Sequence, residues 1–254
     1  MKMSPYSPTR LLRPVAWLAV VLLSGIPGIQ AAEDGWIPLF DGKTLDGWTV
    51  KIQGQKAGED AKHIFRVVDG TILATYEAYQ KFNNEFGHLF HDIPWSRYKI
   101  RMEYKFNGDQ LEGGPGWGFL NSGVMIHGQS AASMGIDQSF PDSVEVQFLG
   151  SDGKTRRPTG NICTPATVVD INGKTLDSHC VDSASPPMPA DEWTEVEVHV
   201  DGSKELVVLV EGVEVIRVTN LRMDDGTPLD HGTISIQAES HDCAYRNIEI
   251  QPLD

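Results

Sequence analysis

Residues 195–200, EVEVHV, alternate polar side chains with valines. Because successive side chains of a strand point to opposite faces, this period of two places the three valines on one face and the polar groups on the other. The pattern is typical of a β-strand that buries one face and exposes the other. The fold class then depends on whether partner strands flank this stretch.

Short strands joined by tight turns do flank it. Residues 206–210 and 213–218 border Glu211 and Gly212, and residues 65–68 and 71–74 border Asp69 and Gly70. A pair ending in glycine between two apolar runs is typical of a two-residue hairpin. Further alternating segments lie at 101–106, 123–127, 143–149, 233–238 and 245–250. Without a long helical period or a βαβ spacing, the sequence predicts an all-β sandwich or jelly roll.

The composition agrees with this fold and limits the partners. The chain has 254 residues, 25 of them glycine and 15 proline, which favours many turns. With 21 basic and 35 acidic residues the net charge is −14. A polyanion repels nucleic acid and anionic membrane surfaces, so neither is an expected partner. No interdomain linker is visible, and we expect one domain over residues 33–254.

Residues 1–32 differ from the rest of the chain. Three basic residues precede the apolar run VAWLAVVLL at 15–23, and small residues follow at 31–32. This order is typical of a secretory signal peptide, and the alternative is an uncleaved N-terminal anchor. The segment predicts export to the periplasm or the outside of the cell, with no membrane contact after its removal. Removal leaves 18 basic and 35 acidic residues, a net charge of −17.

The three cysteines are Cys163, Cys180 and Cys243. Export permits disulfides, and an odd number leaves at least one thiol unpaired. Cys163 and Cys180 flank a segment with the hairpin-like dipeptide Asn172-Gly173, which favours that pair. Spacing alone leaves Cys243 open as a partner. No CxxC or His/Cys cluster indicates zinc.

Polar side chains recur on one face of four predicted strands, and together these could form one concave, sugar-binding surface. They are Glu103 and Lys105, Asn121 and His127, Glu145 and Gln147, and Gln237 and Glu239, leading to His241. Carboxylates and amides bind sugar hydroxyls, and Trp117 or Trp95 could stack on the ring. The alternative is a face that simply contacts solvent. His88 and His91 are three residues apart, but on a strand or loop we expect a structural role for both.

Several segments resemble one family. Residues 36–48, WIPLFDGKTLDGW, resemble the opening motif of the DUF1080 family, the 3-keto-disaccharide hydrolase domain. Residues 65–70 are similar to its next hairpin, 121–124 (NSGV) and 144–147 (VEVQ) to two of its strands, and 232–252 to its final two strands. The similarity spans nearly all of residues 33–254.

The resemblance implies a concanavalin A-like jelly-roll sandwich of two antiparallel sheets and activity on glycosides oxidised at C3. A C3 ketone acidifies the C2 proton, so a base can remove it and the group at C1 can leave by elimination; water then adds to complete hydrolysis. Such a site needs a base, an acid, and donors or a metal for the enolate oxygen.

On the matching strands, Glu145 is the expected leading carboxylate, His127 a proton-transfer group and Glu103 a second carboxylate. The three side chains could instead hold a divalent cation such as calcium. The expected substrate contacts are Asn121, Lys105, Trp117, Gln147, Gln237 and His241. Two alternatives stay open: a non-catalytic carbohydrate-binding module, and an ordinary glycosidase that uses Glu103 and Glu145 as its two carboxylates.

Overall fold

The computed structural model describes residues 35–254, so the predicted signal peptide at 1–32 lies outside the described residues. The described chain forms strands and two short 3₁₀ helices, at Gly116–Gly118 and Ala131–Ser133. None of the helices in this part of the chain is long and apolar enough to cross a bilayer. The strands are, in chain order, β1 (Ile37–Pro38), β2 (Trp48–Ile52), β3 (Phe65–Val68), β4 (Thr71–Ala74), β5 (Gly87–Trp95), β6 (Arg97–Asn107), β7 (Asn121–Gly128), β8 (Val144–Leu149), β9 (Asn161–Cys163), β10 (Thr167–Ile171), β11 (Lys174–Thr175), β12 (Cys180–Val181), β13 (Thr194–Asp201), β14 (Glu205–Val210), β15 (Val213–Met223), β16 (Gly232–Ala238) and β17 (Asp242–Pro252).

The strands form two antiparallel sheets, as predicted. A ten-stranded sheet has the order β11-β10-β15-β14-β13-β6-β17-β4-β3, with β1 paired to β17. A seven-stranded sheet has the order β12-β9-β8-β7-β16-β5-β2. The two sheets enclose one apolar core between their inner faces.

The stretch that predicts the fold lies in the middle of the larger sheet. In β13 the valines at 196, 198 and 200 are each 1 % exposed and belong to the core. Glu197 and His199 point to the other face, where the carboxylate and the ring are only partly buried. Burying each valine stabilises the sandwich by roughly 1.5–3 kcal/mol relative to exposing it.

The two predicted hairpins are confirmed. Asp69 and Gly70 have φ of 48° and 77°, and Glu211 and Gly212 have φ of 49° and 74°. Positive φ at both turn residues gives the twist that suits a two-residue hairpin, and glycine accepts it without strain. These turns connect β3 to β4 and β14 to β15.

Aromatic side chains connect the two sheets across the core. The rings of Tyr104 on β6 and Phe148 on β8 stack at 4.5 Å with an interplanar angle of 8°. The hydroxyl of Tyr245 on β17 donates to the carbonyl of Gln237 on β16 at 2.8 Å. These contacts between the two sheets fix β6 relative to β8 and β17 relative to β16.

The predicted disulfide is confirmed. Cys163 on β9 and Cys180 on β12 lie opposite each other in register and are bonded. Cys243 is a free, buried thiol whose pKa is raised to about 12 by burial.

One prediction about the strands is wrong. Strands β7, β8 and β16 are neighbours in the seven-stranded sheet, but β6, which carries Glu103 and Lys105, belongs to the ten-stranded sheet. The four polar strand faces therefore do not form one surface. Alternation tells which residues share a face of a strand, but not the sheet to which the strand belongs.

Candidate functional site

The outer face of the seven-stranded sheet carries the polar residues of three adjacent strands. Glu145 on β8 lies opposite Met125 on β7, and Gln147 lies opposite Gly123. A Cβ at Gly123 would stand 3.0 Å from Glu145 Oε1 and 3.2 Å from Gln237 Oε1. The missing side chain therefore leaves room between Glu145 and Gln237, and glycine is needed here for close approach.

A cavity of about 380 Å³ opens on this face. Its volume is sufficient for a small ligand such as a sugar ring. The lining residues come from β7, β8, β9, β12 and the segments next to them: Trp117, Asn121, Phe140, Glu145, Gln147, Cys163, Pro165, His179, Cys180 and Glu239.

Two carboxyl groups in this cavity are almost fully buried. Glu145 is 6 % exposed and Glu239 is 2 % exposed. Burial raises the pKa of Glu145 to about 8. Burial also raises the pKa of Glu239, and the negative charge of Glu145 raises it further. Among the described lining residues there is no lysine or arginine to reverse these shifts.

Glu145 therefore ionises first, around pH 8, and below that pH both carboxyl groups are mainly protonated, because burial disfavours the first charge and a second like charge still more. When Glu145 is ionised, its charge holds the remaining proton on Glu239. With Glu145 ionised and Glu239 protonated, the cavity holds a base and an acid.

Two amides complete the polar part of the cavity. Asn121 Nδ2 donates to the Trp117 carbonyl at 3.0 Å, which leaves the buried Oδ1 without a partner in the described structure. Gln147 Oε1 accepts from Asn161 Nδ2 at 3.0 Å, so that its own NH₂ group is oriented away from Asn161. Both amides thus offer fixed polar atoms to a ligand hydroxyl.

Apart from the exposed His179, the rest of the cavity wall is apolar. Trp117, which is 53 % exposed, stacks on Phe86 at 5.5 Å with an interplanar angle of 12°. The Phe140 ring lies 5.1 Å from the same Phe86 ring. Pro165 and the Cys163–Cys180 disulfide form the remainder of this wall. The ring contacts hold Trp117 and Phe140 in place without a ligand.

Glu103 and Lys105 lie on the other side of the sandwich. Glu103 accepts from Arg246 Nε at 2.7 Å and from Asn247 Nδ2 at 2.6 Å. Lys105 Nζ lies 5.1 Å from the centre of the Trp193 ring. The expected pairing of Glu103 with Glu145 is wrong, because their strands belong to different sheets and the core lies between them.

His127 is turned away from the cavity. Its φ of 51° interrupts the alternation at the end of β7. Nδ1 lies 3.0 Å from the carbonyl of Leu229 and Nε2 lies 3.2 Å from that of Ser96, so a neutral ring donates to one of the two; the ring centre lies 5.8 Å from Tyr98 of the larger sheet. Burial lowers the pKa of His127, and the two carbonyls oppose this shift.

His241 is displaced for the same backbone reason. Ser240 has a φ of 76°, which breaks the alternation that runs from Gln237 to Glu239. The His241 ring packs edge-on against Phe106 and Phe119, and its Nδ1 accepts from the Leu120 N–H at 3.3 Å. His241 thus supports the segment before β7 and does not line the cavity.

The expected metal ligands do not come together. Glu145 lines the cavity, His127 faces the larger sheet and Glu103 lies beyond it. Within residues 35–254 no group of three or more His, Cys, Asp or Glu side chains is arranged to hold a metal ion. The donor sets in this part of the chain therefore do not fit the calcium site that the sequence suggested.

The remaining candidates occupy the continuation of the polar face. Gln237 is fully buried next to Gly123, and His88 on β5 lies opposite it in register. Burial lowers the pKa of His88 to about 3, so the ring is neutral. Trp95 packs near Tyr98 at 6.4 Å and does not line the cavity.

The sequence places Glu239 on the polar face without indicating a role for it, and it does not indicate Phe140, Pro165 or His179 as site residues. For Glu239 a signal was present, since it continues the alternation of Ser235 and Gln237 on β16. For Phe140 and Pro165 no pattern was available, because they lie between strands and reach the cavity only through the fold.

A family model described as a 3-keto-alpha-glucoside-1,2-lyase-like domain matches residues 35–251. The expected family resemblance is thereby confirmed. No match to this chain exists among curated proteins.

Solved structures show the same fold. A candidate glycosyl hydrolase from Parabacteroides distasonis ATCC 8503 has a TM-score of 0.53 at 19 % identity, covering 87 % of this chain and 95 % of that chain. A second such protein from the same organism has a TM-score of 0.52 at 16 % identity, with coverages of 86 % and 99 %. A Bacillus licheniformis β-glucanase has a TM-score of 0.50 at 11 % identity, with coverages of 82 % and 94 %. At these identities the likeness establishes the fold alone, and it confirms the concanavalin A-like jelly roll.

Proposed function

Because the chain belongs to the family of 3-keto-alpha-glucoside-1,2-lyase-like domains, we propose that it cleaves the glycosidic bond of 3-keto sugars. The observation that carries this proposal is the pair of buried carboxyl groups, Glu145 and Glu239, in one cavity without a lysine or arginine among its described lining residues. The raised pKa of each carboxyl group suits proton transfer near neutral pH.

The reaction begins at C2 of the sugar. The C3 ketone makes the C2 proton acidic, and the ionised carboxylate of Glu145 removes it. The electron pair of the broken C–H bond forms an enediolate across C2 and C3. The buried amide of Asn121 and the partly buried amide of Gln147 are polar partners for the hydroxyl and enolate oxygens.

The second step releases the group at C1. The enediolate electrons form a double bond between C1 and C2 while the C1–O bond breaks. The protonated carboxyl group of Glu239 gives its proton to the departing oxygen, so that charge does not build up on the leaving alkoxide. Addition of water to the C1–C2 double bond completes hydrolysis; without it the enzyme is a lyase.

The carboxyl pair also supports a requirement for an oxidised sugar. Without a neighbouring ketone, the C2–H group is far too weak an acid to lose its proton to a carboxylate with a pKa of about 8. The ketone at C3 makes C2–H acidic enough for this transfer. The proposal therefore restricts the enzyme to 3-keto glycosides and excludes their unoxidised parents.

We also propose export before activity. The disulfide is of a kind that forms in oxidising compartments, and the basic, apolar and small-residue order of residues 1–32 is typical of a signal peptide. Detection of a chain shortened at its N-terminus in the periplasmic or culture fraction, by mass spectrometry, tests this part. A full-length chain retained in the cytoplasm would contradict it.

The activity itself is tested with a matched pair of substrates. Purified protein is incubated in D₂O with a 3-keto disaccharide and with its unoxidised parent, and the sugars are followed by NMR. We expect cleavage of the keto sugar alone, with deuterium at C2 of recovered substrate or product. Protein carrying Glu145→Gln, purified in the same way, controls for contaminating activity.

Three results would contradict the proposal. Cleavage of the unoxidised parent would indicate an ordinary glycosidase. Binding of both sugars without cleavage or C2 exchange would indicate a carbohydrate-binding module. Cleavage of the keto sugar without solvent deuterium at C2 would indicate a mechanism without C2 proton abstraction.

A further inference from the structure

A second cavity lies at one corner of the seven-stranded sheet, and none of its described lining residues belongs to the cavity that holds Glu145. Strand β2 ends at Ile52, opposite the start of β5 at Gly87, so the chain leaving β2 and the chain entering β5 meet at this corner. Together with the segment around residue 137 they border a cavity of about 450 Å³. Of its ten lining residues, all but Gly54 and Ala61 carry a polar side chain.

Two glutamines supply hydrogen-bond donors to this second cavity. Gln53 Oε1 accepts from Ser139 Oγ at 3.0 Å, and Gln55 Oε1 accepts from the Ala61 N–H at 3.1 Å. Because each amide oxygen already has a partner, each NH₂ group is left to donate to a ligand. The backbone also holds Gln53 in place, since its N–H donates to the Phe86 carbonyl at 2.9 Å.

Two carboxyl groups supply hydrogen-bond acceptors to the same cavity. Glu85 and Asp137 both line it, and Glu85 Oε2 accepts from the Asn83 N–H at 2.6 Å, which fixes the position of that side chain. The amine of Lys62 lies 3.9 Å from the centre of the Tyr79 ring. Among the described lining residues the positive charge of this lysine offsets one of the two carboxylates, so the cavity carries little net charge.

We propose that the second cavity binds a neutral saccharide unit, distinct from the unit that reacts beside Glu145. A hydroxyl group both donates and accepts, so a ligand with several hydroxyls can pair with the amide nitrogens and with the carboxylates at once. An apolar ligand would desolvate these groups without pairing them, and an anion would be repelled by Glu85 and Asp137. Donors and acceptors held in fixed positions around a concave surface are the features that orient a small polar ligand.

Two phenylalanines connect the second cavity to the first. Phe86 follows Glu85, and its ring lies 5.1 Å from that of Phe140, which lines the first cavity. Phe140 in turn follows Ser139, whose hydroxyl bonds to Gln53. A saccharide in the second cavity therefore contacts residues whose sequence neighbours form the wall of the first. Two sources of this saccharide fit the arrangement, a remote unit of the glycan that is being cleaved and a separate molecule.

Binding to the second cavity can be measured without turnover, on the side-chain NH₂ signals of Gln53 and Gln55 in the NMR spectrum of ¹⁵N-labelled protein. Each signal is identified by its loss in Gln53→Ala or Gln55→Ala. The probes are maltotriose and cellotriose, which carry no ketone and differ in linkage, and glycerol controls for unspecific effects of a polyol. We expect saturable shifts of both signals with at least one trisaccharide, with a Kd on the order of 1 mM, and no saturation with glycerol.

Matched glutamine variants locate the binding site. Gln55→Ala should raise the Kd reported by the Gln53 signal by about 3- to 10-fold, because it removes one donor from the second cavity. Gln147→Ala removes a glutamine from the first cavity and should leave that Kd unchanged. Gln55 is a better position for this test than Gln53, because Gln53 also bonds to Ser139 next to the wall of the first cavity.

Kinetics distinguish the two sources of the saccharide, and this part of the test rests on the proposed function. If a remote unit of the substrate occupies the second cavity, Gln55→Ala should lower kcat/KM for a 3-keto trisaccharide by about 3- to 10-fold and leave that for a 3-keto disaccharide unchanged. Unchanged kcat/KM for both substrates, together with saturable binding, would identify a separate saccharide as the ligand.

Three results would overturn the second saccharide site. They are the absence of saturable shifts with either trisaccharide, equal shifts with glycerol, which would indicate adventitious polyol binding only, and an equal rise of Kd in Gln55→Ala and Gln147→Ala, which would place the probe in the first cavity. Each of these results leaves the cleavage of 3-keto sugars unaffected. Saturable binding at Gln53 and Gln55 by a protein that cleaves no 3-keto sugar would overturn the proposed function alone.

Discussion

The outer faces of the two sheets carry the same type of residue in opposite surroundings. On the ten-stranded sheet, Glu103 lies 2.5 Å from Arg246 and Glu249 lies 2.6 Å from Arg101, with all four side chains partly exposed. On the seven-stranded sheet, Glu145 is buried in a cavity whose described lining residues include no lysine or arginine. The first arrangement is a solvated ionic surface, and the second is a buried carboxyl group without a basic partner among the described lining residues.

The pKa values follow this division. On the ten-stranded sheet, a hydrogen bond from Asn220 and contacts with Arg222 lower the pKa of Asp170, and a hydrogen bond from Arg97 lowers that of Asp201. On the other sheet, burial raises the pKa of Glu145 to about 8. A carboxylate therefore becomes a base of useful strength where the fold removes both water and cations.

The largest expected effect is the difference in turnover between two Glu→Gln variants, one on each outer face. Glu145→Gln should lower turnover of a 3-keto glycoside by about 10²–10⁴-fold, because it removes the proposed base. Glu103→Gln should leave turnover within about 2-fold, since it alters only an exposed ion pair. Steady-state kinetics on both variants check this. Equal losses of turnover in the two variants would contradict the proposed functional difference between the two faces.

The second largest effect is expected in the pH dependence of the free energy of unfolding, to which carboxyl groups on the two faces should contribute differently. Glu145 has a raised pKa in the folded state, so from about pH 4.5 to 8 the unfolded chain loses a proton that the folded chain keeps. The free energy of unfolding therefore falls as pH rises through this window, by about 1.4 kcal/mol per unit for this group.

Glu145→Gln should reduce this decline and make the protein more stable than wild type at about pH 8, whereas Glu103→Gln should keep the wild-type decline. Urea denaturation at about pH 5 and 8 measures both. A Glu145→Gln variant whose stability declines as steeply as that of the wild type would show that Glu145 does not have a raised pKa.

A smaller effect is expected from filling the gap beside Glu145. Gly123→Ala places a Cβ 3.0 Å from Glu145 Oε1 and 3.0 Å from the Val146 carbonyl. Such overpacking should destabilise the fold by about 1–3 kcal/mol and lower turnover by displacing the carboxylate. Gly116→Ala, whose Cβ would meet nothing within 4 Å, is the matched control. Full activity in Gly123→Ala would contradict the need for a glycine at this point.

The smallest effect is expected on the ionic face. Arg246→Ala removes the partner of Glu103, and an exposed ion pair contributes only about 0–1 kcal/mol. Its contribution should shrink with added salt, and turnover should not change. Thermal unfolding at low and high ionic strength checks this. A loss of several kcal/mol would indicate that the ten-stranded face is more than a solvated surface.

Much of the fold could be predicted because local patterns determine it. The valines of β13 and the two glycine-containing hairpins each follow from neighbouring residues alone. The assignment of each strand to one of the two sheets does not follow from neighbouring residues. Glu103 and Glu145 alternate with apolar residues in the same way, and only long-range pairing places β6 beside β13 and β17.

The candidate site could be predicted in part, for a related reason. Glu145, Gln147 and Asn121 line the cavity because their strands keep a regular alternation up to that point. His127 and His241 do not, since a positive φ at His127 and at Ser240 rotates each ring away. Positive φ in a residue other than glycine has no reliable sequence signal, so histidine positions of this kind need a structure.

The Cys163–Cys180 disulfide lies in the wall of the cavity, where a change of redox state would reach the residues around Glu145. Strand β12 has two residues and pairs only with β9, so the Cys163–Cys180 bond is its one covalent attachment to the wall beside Glu145. Neither cysteine belongs to the core between the sheets, against which Val181 of β12 packs. Reduction of the bond is therefore expected to loosen β12 and the cavity wall beside Glu145 more than the core.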